Sequence, residues 1–240
     1  MTNANYQTGI LADVPEQALY LLYSITSDNG MAEVLGSLAK LVDGESVVAG
    51  LGEGLIDRLP GQVTGLRTLS AHSINGIDAP STPQALLLWL RGKERGELAH
   101  QARRFNQLLS GSFQLQNMVD GFCYQGGRDL TGYEYGTENP VSEDAISTAF
   151  ASGEPGMSGS SFLALQQWRH DMSAFDTYTT SGQDLMIGRH IADNEEIDDA
   201  PQTAHVKRTA QESFEPEAFV LRRFMPWRNA GELDLSWVMG

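Results

Sequence analysis

Basic residues are scarce in this chain of 240 residues. Sixteen Lys and Arg stand against 31 Asp and Glu, for a formal net charge of −15 and a pI near 4.6. An acidic chain repels phosphate backbones, so no nucleic-acid partner is expected. Cysteine is scarcer still, with Cys123 alone. That excludes an intrachain disulfide and a thiolate metal cage. Cys123 sits between Phe122 and Tyr124 in a strand-like run and reads as a buried, inert thiol. No apolar run reaches transmembrane length. The N-terminal stretch MTNANYQTGILADVPEQ lacks the basic and apolar regions of a signal peptide. Together these absences point to the reducing cytoplasm and away from a membrane. What remains is ordinary for a globular protein, at 41% hydrophobic and 20% charged residues.

The apolar pattern predicts an α+β fold. QALYLLYSIT (17–26) reads as a buried strand. A helix follows, capped by Asp28 or Asn29, with an apolar stripe of Met31, Val34, Leu35, Leu38 and Leu41, and ends before Gly44. SVVAGLGEG is a second strand. Its Gly50, Gly52 and Gly54 do not form a dinucleotide fingerprint, because Leu55 takes the third glycine's place, so a turn is expected. A long irregular segment leads to a strand at ALLLWLRG, a helix at GELAHQARRFNQLL and a strand at SFQLQNMVDGFCYQ. The order β-α-β, β-α-β suggests a ferredoxin-like unit. The pattern partly returns: a strand at SSFLALQQWRHDM, a helix at SAFDTYTTSGQDLMIG, an acidic loop, and a strand at EAFVLRRFMPW ended by Pro226. Two ferredoxin-like units are expected, over 1–150 and 151–240. The second lacks a final helix and strand, which predicts an open sheet edge.

Few side chains announce chemistry by type and spacing. The five histidines include no i, i+4 pair of a helical zinc site. His72 and His100 read as solvated, His170 as structural, His190 as a cation at a helix end, and His205 as part of a short loop. GMSGS resembles a nucleophile elbow but has Ser160 for the last glycine and no strand leading in. The run DNEEIDD reads as a solvated loop. Trp89, Trp168 and Tyr133 could relay electrons from bulky surface substrates, although core packing is the stronger reading.

Three longer motifs say more. RDLTGYEYGTENP (128–140) is similar to the signature of dye-decolourising peroxidases, an Arg-Asp pair followed by G-F-x-D-G-T-x-N-P. MIGRHIADNEEIDDAPQTAHVKRT (186–209) resembles that family's approach to its iron-binding histidine. FVLRRFMPW (219–227) resembles its later arginine strand. The resemblance covers roughly Ile10 to Trp227 and implies a haem-dependent peroxidase. Such a protein reduces hydrogen peroxide and oxidises aromatic or porphyrin-like substrates, often as a homo-oligomer. Under it His205 becomes the ligand of haem b iron, and Arg222 the distal cation that stabilises the leaving hydroxide. Gly132, Glu134, Gly136 and Thr137 border the cofactor, Arg189 pairs with a propionate, and Phe224 lines the distal side.

Three departures accompany the resemblance. Tyr135 stands at the family's proton-shuttling aspartate, and a phenol of reference pKa about 10 is a poor base at neutral pH. Arg222 with a water could serve instead, or Glu134 or Glu138 could supply the base. Alternatively, the chain binds haem without peroxidase turnover and Tyr135 only packs. Phe224 replaces a small polar residue, which implies a drier and narrower distal side. The family's C-terminal part, with the aspartate that bonds the proximal histidine, has no counterpart here.

Overall fold

The computed structural model describes residues 6–134, 136–152, 157–228 and 236–239. The fold is α+β with antiparallel pairing. Contacts divide the chain into two compact units, Met1–Asp120 with Ser152–Phe162, and Gly121–Ala151 with Leu163–Gly240. The division runs near residue 120. The segment 121–151, assigned from sequence to the first domain, groups with the second unit, to which its hydrogen bonds tie it.

In the first unit β1 (Gln17–Ile25), α1 (Met31–Ala39), β2 (Val47–Leu51) and the short α2 (Glu53–Ile56) precede a hairpin, β3 (His72–Ile74) with β4 (Ile77–Ala79). β5 (Leu86–Gly92), α3 (Arg95–Leu109) and β6 (Phe113–Phe122) follow. The sheet order β2-β5-β1-β6 is that of a split β-α-β, ferredoxin-like unit. Alternation decides which face carries the helices. Leu19, Leu21 and Tyr23 of β1 and Leu86, Leu88 and Leu90 of β5 point to one side. They meet Met31 and Leu38 of α1 and Leu98, Ala102, Phe105 and Leu109 of α3. Each such side chain contributes about 1.5–3 kcal/mol by leaving water. On the other face Tyr20 stacks on Trp89 with centroids 5.8 Å apart, and Arg91 lies 4.9 Å over that indole. Trp89 is therefore part of a packed layer.

Several local expectations change. Gly30, at φ 69°, precedes the first turn of α1 in place of a side-chain cap, because the Asp28 carboxylate is bound by Arg58 at 3.1 Å. Leu41 lies beyond the helix and is exposed. The irregular segment contains the β3–β4 hairpin, whose Asn75-Gly76 turn has positive φ at both residues. His72 and His100 are exposed, as read from sequence, and Cys123 lies half-buried just past β6.

The second unit holds α4 (Ser142–Ala149), β7 (Gln166–Arg169), α5 (Met172–Phe175), α6 (Thr180–Ile187), α7 (His205–Thr209), β8 (Phe224–Trp227) and β9 (Ser236–Met239). The single helix expected over SAFDTYTTSGQDLMIG is two, because Thr179 accepts a hydrogen bond from Gly182 N and starts a new helix. α6 then stops at Gly188, φ 93°. The strand at SSFLALQQWRHDM shrinks to four residues. β8 begins only at Phe224 and keeps Pro226 inside, its outer pairing confined to Gly121 opposite Trp227. β9 lies between β8 and β7, a strand not expected from the sequence. No described helix is long and apolar enough to cross a membrane.

The glycine run after β2 has a packing cause. A Cβ on Gly52 would lie 1.9 Å from the Gln84 carbonyl oxygen, whereas one on Gly54 meets nothing within 4 Å. Gly52→Ala should lower stability by about 1–3 kcal/mol through overpacking. Gly54→Ala should raise it by up to about 1 kcal/mol, because Gly54 is a helical glycine in open space. Urea midpoints of the two variants check both signs.

Candidate active site

The loop from Arg128 to Pro140 is held by its own ends. Arg128 donates to the Gly132 carbonyl at 2.7 Å and to Glu134 Oε1 at 2.6 Å, while Asp129 N bonds Tyr133 O at 2.9 Å. This closes a tight turn over 128–134 in which Gly132 has φ 94°; Gly136, further along the loop, has φ 77°. A Cβ on Gly132 would approach Ile191 Cδ1 to 3.0 Å, so this glycine serves backbone shape and packing.

Glu134, Gly136, Thr137, Arg189, His205, Arg222 and Phe224 all border one hollow. It encloses about 820 Å³ including its open mouth. Gly132 does not line it. Tyr135 lies outside the described residues. The remaining walls include Ile187, Val206 and Phe219 as apolar members and Glu138 and Glu196 as acidic ones.

His205 opens α7, so it is a helical residue and not one of a loop. Burial pulls its pKa below the ordinary value, the charges of Arg222 and His170 push the same way, and Asp129 opposes them. The imidazole is thereby kept neutral near neutral pH. Arg222 is fixed twice. Asn139 accepts from its backbone N–H and donates to its backbone carbonyl, both at 2.8 Å, and its guanidinium donates to Thr209 O at 2.6 Å. Asn139 was not singled out from sequence. The signal was its place in the T-x-N-P end of the first motif.

The carboxylates near the hollow are held by cations. Arg189 is buried and binds Glu138 at 2.5 Å and Glu196 at 3.4 Å, and Lys207 reaches Glu196 at 3.0 Å. Glu134 is bound by Arg128. Two further acids, also not singled out from sequence, are Asp129 within the loop and Asp184 at α6. Asp129 is buried and faces His170 Nε2 at 3.3 Å. Burial alone would raise its pKa, but hydrogen bonds from His170 and Thr131 win and hold it low. Asp184, also buried, accepts from the Tyr133 hydroxyl at 2.6 Å and pairs with His190 Nδ1 at 3.2 Å. Its pKa, too, is lowered against the effect of burial.

Residues of all three motifs thus border one hollow in this α+β fold. The family model for the C-terminal part of Dyp-type peroxidases matches residues 126–238. A dye-decolorizing peroxidase of Mycolicibacterium paratuberculosis is 30% identical over 94% of this chain and 68% of its own length. One from Rhodococcus erythropolis is 28% identical over 95% of this chain and 72% of its own. Among solved structures, a DypB variant of Rhodococcus jostii RHA1 in complex with heme superposes with a TM-score of 0.81 at 27% identity, covering 95% of this chain and 80% of that one. A dye-decolorizing protein from V. cholerae shares the fold at TM-score 0.82 and 21% identity, over 97% of this chain and 82% of that one. The chain belongs to the dye-decolourising peroxidase family.

Two variants test the support behind the hollow. Asn139→Ala removes both bonds to the Arg222 backbone and should cost about 1–3 kcal/mol in a urea titration. Asp129→Asn should destabilise the protein most at neutral pH. The native carboxylate is held below its unfolded value, so its contribution is present above about pH 4 and fades as the pH falls through the native pKa. The stability gap between wild type and Asp129→Asn should therefore close in acid, as measured by denaturant midpoints across pH.

Proposed function

We propose that the chain is a haem-dependent peroxidase that reduces hydrogen peroxide and oxidises aromatic or porphyrin-like substrates, a cytoplasmic enzyme that self-associates as family members do. The observation that carries this reading is the meeting of His205, Arg222 and the 134–138 loop, drawn from three separate motifs, around one hollow. The donor set fits a haem. Among the described residues no group of three or more His, Cys, Asp or Glu could hold a bare ion. One neutral imidazole is enough for an iron whose equatorial positions a porphyrin fills. Haem, when bound, supplies the redox iron at which peroxide is cleaved.

The protein supplies the rest. His205 would hold the iron through a ring nitrogen. Arg222 offers a permanent cation for the negative charge that develops as the O–O bond parts, and Asn139 holds its backbone in place. Arg189 is the residue to pair with a propionate, which would take the place of Glu138 or Glu196 on its guanidinium. Phe219 and Phe224 make part of the wall apolar and limit access to small oxidants. Glu134 and Glu138 are both engaged by arginines. Proton movement during peroxide reduction therefore falls to Arg222 and water.

The test is an absorption spectrum after adding haem, then after one equivalent of peroxide. Wild type should show a Soret band that shifts on peroxide and returns on adding an aromatic reductant. His205→Ala should abolish the band. Arg222→Leu should keep it and lose about 10²-fold or more in turnover. A wild-type band unmoved by peroxide would mean a haem-binding protein without turnover. No band at all would overturn the haem reading.

A further inference from the structure

We infer that Gln211 is a positioning residue for Arg222: its buried side-chain amide takes the place of a partner strand for 220–222 and ties the arginine's place to that of His205. The inference rests on the peroxidase reading for the task of Arg222 and on hydrogen bonds within the second unit for the rest. Gln211 is 4% exposed and borders the hollow. It opens a 3-10 turn, Gln211–Ser213, just beyond α7. Its Oε1 accepts from Val220 N at 2.5 Å, and its Nε2 donates to Glu138 O at 3.4 Å. Its own carbonyl accepts from Ala218 N at 3.1 Å. One residue thus joins the first motif to the third.

The chain from 217 to 223 belongs to no strand. Its backbone N–H groups have no ladder to enter, and a buried one left without a partner costs stability. Two side-chain amides serve instead. Gln211 takes the N–H of Val220, and Asn139 takes that of Arg222. These residues are two apart, the spacing at which one edge of a strand bonds its neighbour. Glu138, whose carbonyl holds the other end of the Gln211 amide, is the residue next to Asn139. The two amides therefore fix one register between 138–139 and 220–222.

The guanidinium is held from the same stretch as Gln211. It donates to Thr209 O at 2.6 Å, two residues before Gln211. Thr209 closes the short helix that His205 opens. The residue that would hold the iron, the carbonyl that holds the guanidinium and the amide that holds its backbone approach all lie within 205–211. Packing alone does not call for an amide at this position. Methionine would fill about the same volume. A buried amide is unfavourable unless it is hydrogen-bonded, and here both of its ends are.

The test begins on the full chain without haem, so it stands whatever the spectrum described above shows. Phenylglyoxal modifies guanidinium groups, and mass spectrometry of a digest reads the rate at each arginine. In Gln211→Met the rate at Arg222 should rise several-fold. The rate at Arg128, held by Gly132 and Glu134, should not change. A rise at both arginines overturns the inference, because Gln211 then only supports the fold. A rise at neither overturns it too, because Arg222 is then placed without it. If Gln211→Met does not fold, hydrogen exchange in wild type decides. The Val220 amide should exchange about 10-fold or more slowly than in an unfolded chain, and exchange at the unfolded rate overturns the inference. On the haem-loaded chain the probe is fluoride, an anion whose hold on ferric iron is helped by a nearby cation. Gln211→Met should keep the Soret band and bind fluoride about 10-fold more weakly than wild type. Unchanged fluoride affinity overturns the role of Gln211 at the hollow. A wild type without a Soret band strikes the haem reading instead, and the rates at Arg222 and Arg128 still decide this one.

Discussion

The reciprocal pair of hydrogen bonds between the Asn139 amide and the backbone of Arg222 is the constraint on which the site depends. It joins residues 83 apart in the chain. A side-chain amide that both accepts from and donates to one residue's backbone imitates a rung of a β-ladder. It is made just before β8, where Arg222 has not yet entered the sheet. Without it the arginine would sit on irregular chain and its cation would sample many positions. With it, the loop 128–140 and the strand that follows Arg222 share one frame, and the hollow has two fixed walls.

Behind that frame the second unit accepts the cost of buried charge. Asp129 and Asp184 are both largely buried, where a lone carboxylate is driven toward protonation. Each is kept ionised by several donors, His170 and Thr131 for one and Tyr133, His190 and the Ile191 amide for the other. Such pairs orient more than they stabilise, because desolvation takes back most of the attraction. Their effect here is to hold a glycine-containing loop in a single conformation. The arginines around the hollow follow the same rule, since Arg128 and Arg189 each spend their charge on nearby glutamates.

Legibility differed sharply between the two units. β1, β5, α3 and β6 were readable because each is long and its apolar period is unbroken, as in Leu98, Ala102, Phe105 and Leu109 on one helical face. The second unit is built from four- to eight-residue pieces. Over so few residues a period of two and a period of 3.6 cannot be told apart, so one helix was expected where Thr179 starts a second, and β9 was not expected at all. His205 and Arg222 were legible only as parts of motifs. Asn139 and Asp129 were present only as members of the first motif and Asp184 carried no signal beyond being polar; their roles lie in partners 83, 41 and 51 residues away.

The amino-acid sequence by itself determined the α+β class, the ferredoxin-like order of the first unit, the family, and some of the residues that border the hollow. These are properties of local period and of ordered short motifs, which need no partner to be read. Only the tertiary structure decided which acids are buried, which arginines are already engaged, and which tyrosine hydroxyl bonds a buried carboxylate. Those facts depend on desolvation and on hydrogen bonds between distant segments. Both arise only when the chain is brought together, and neither leaves a periodic trace along it.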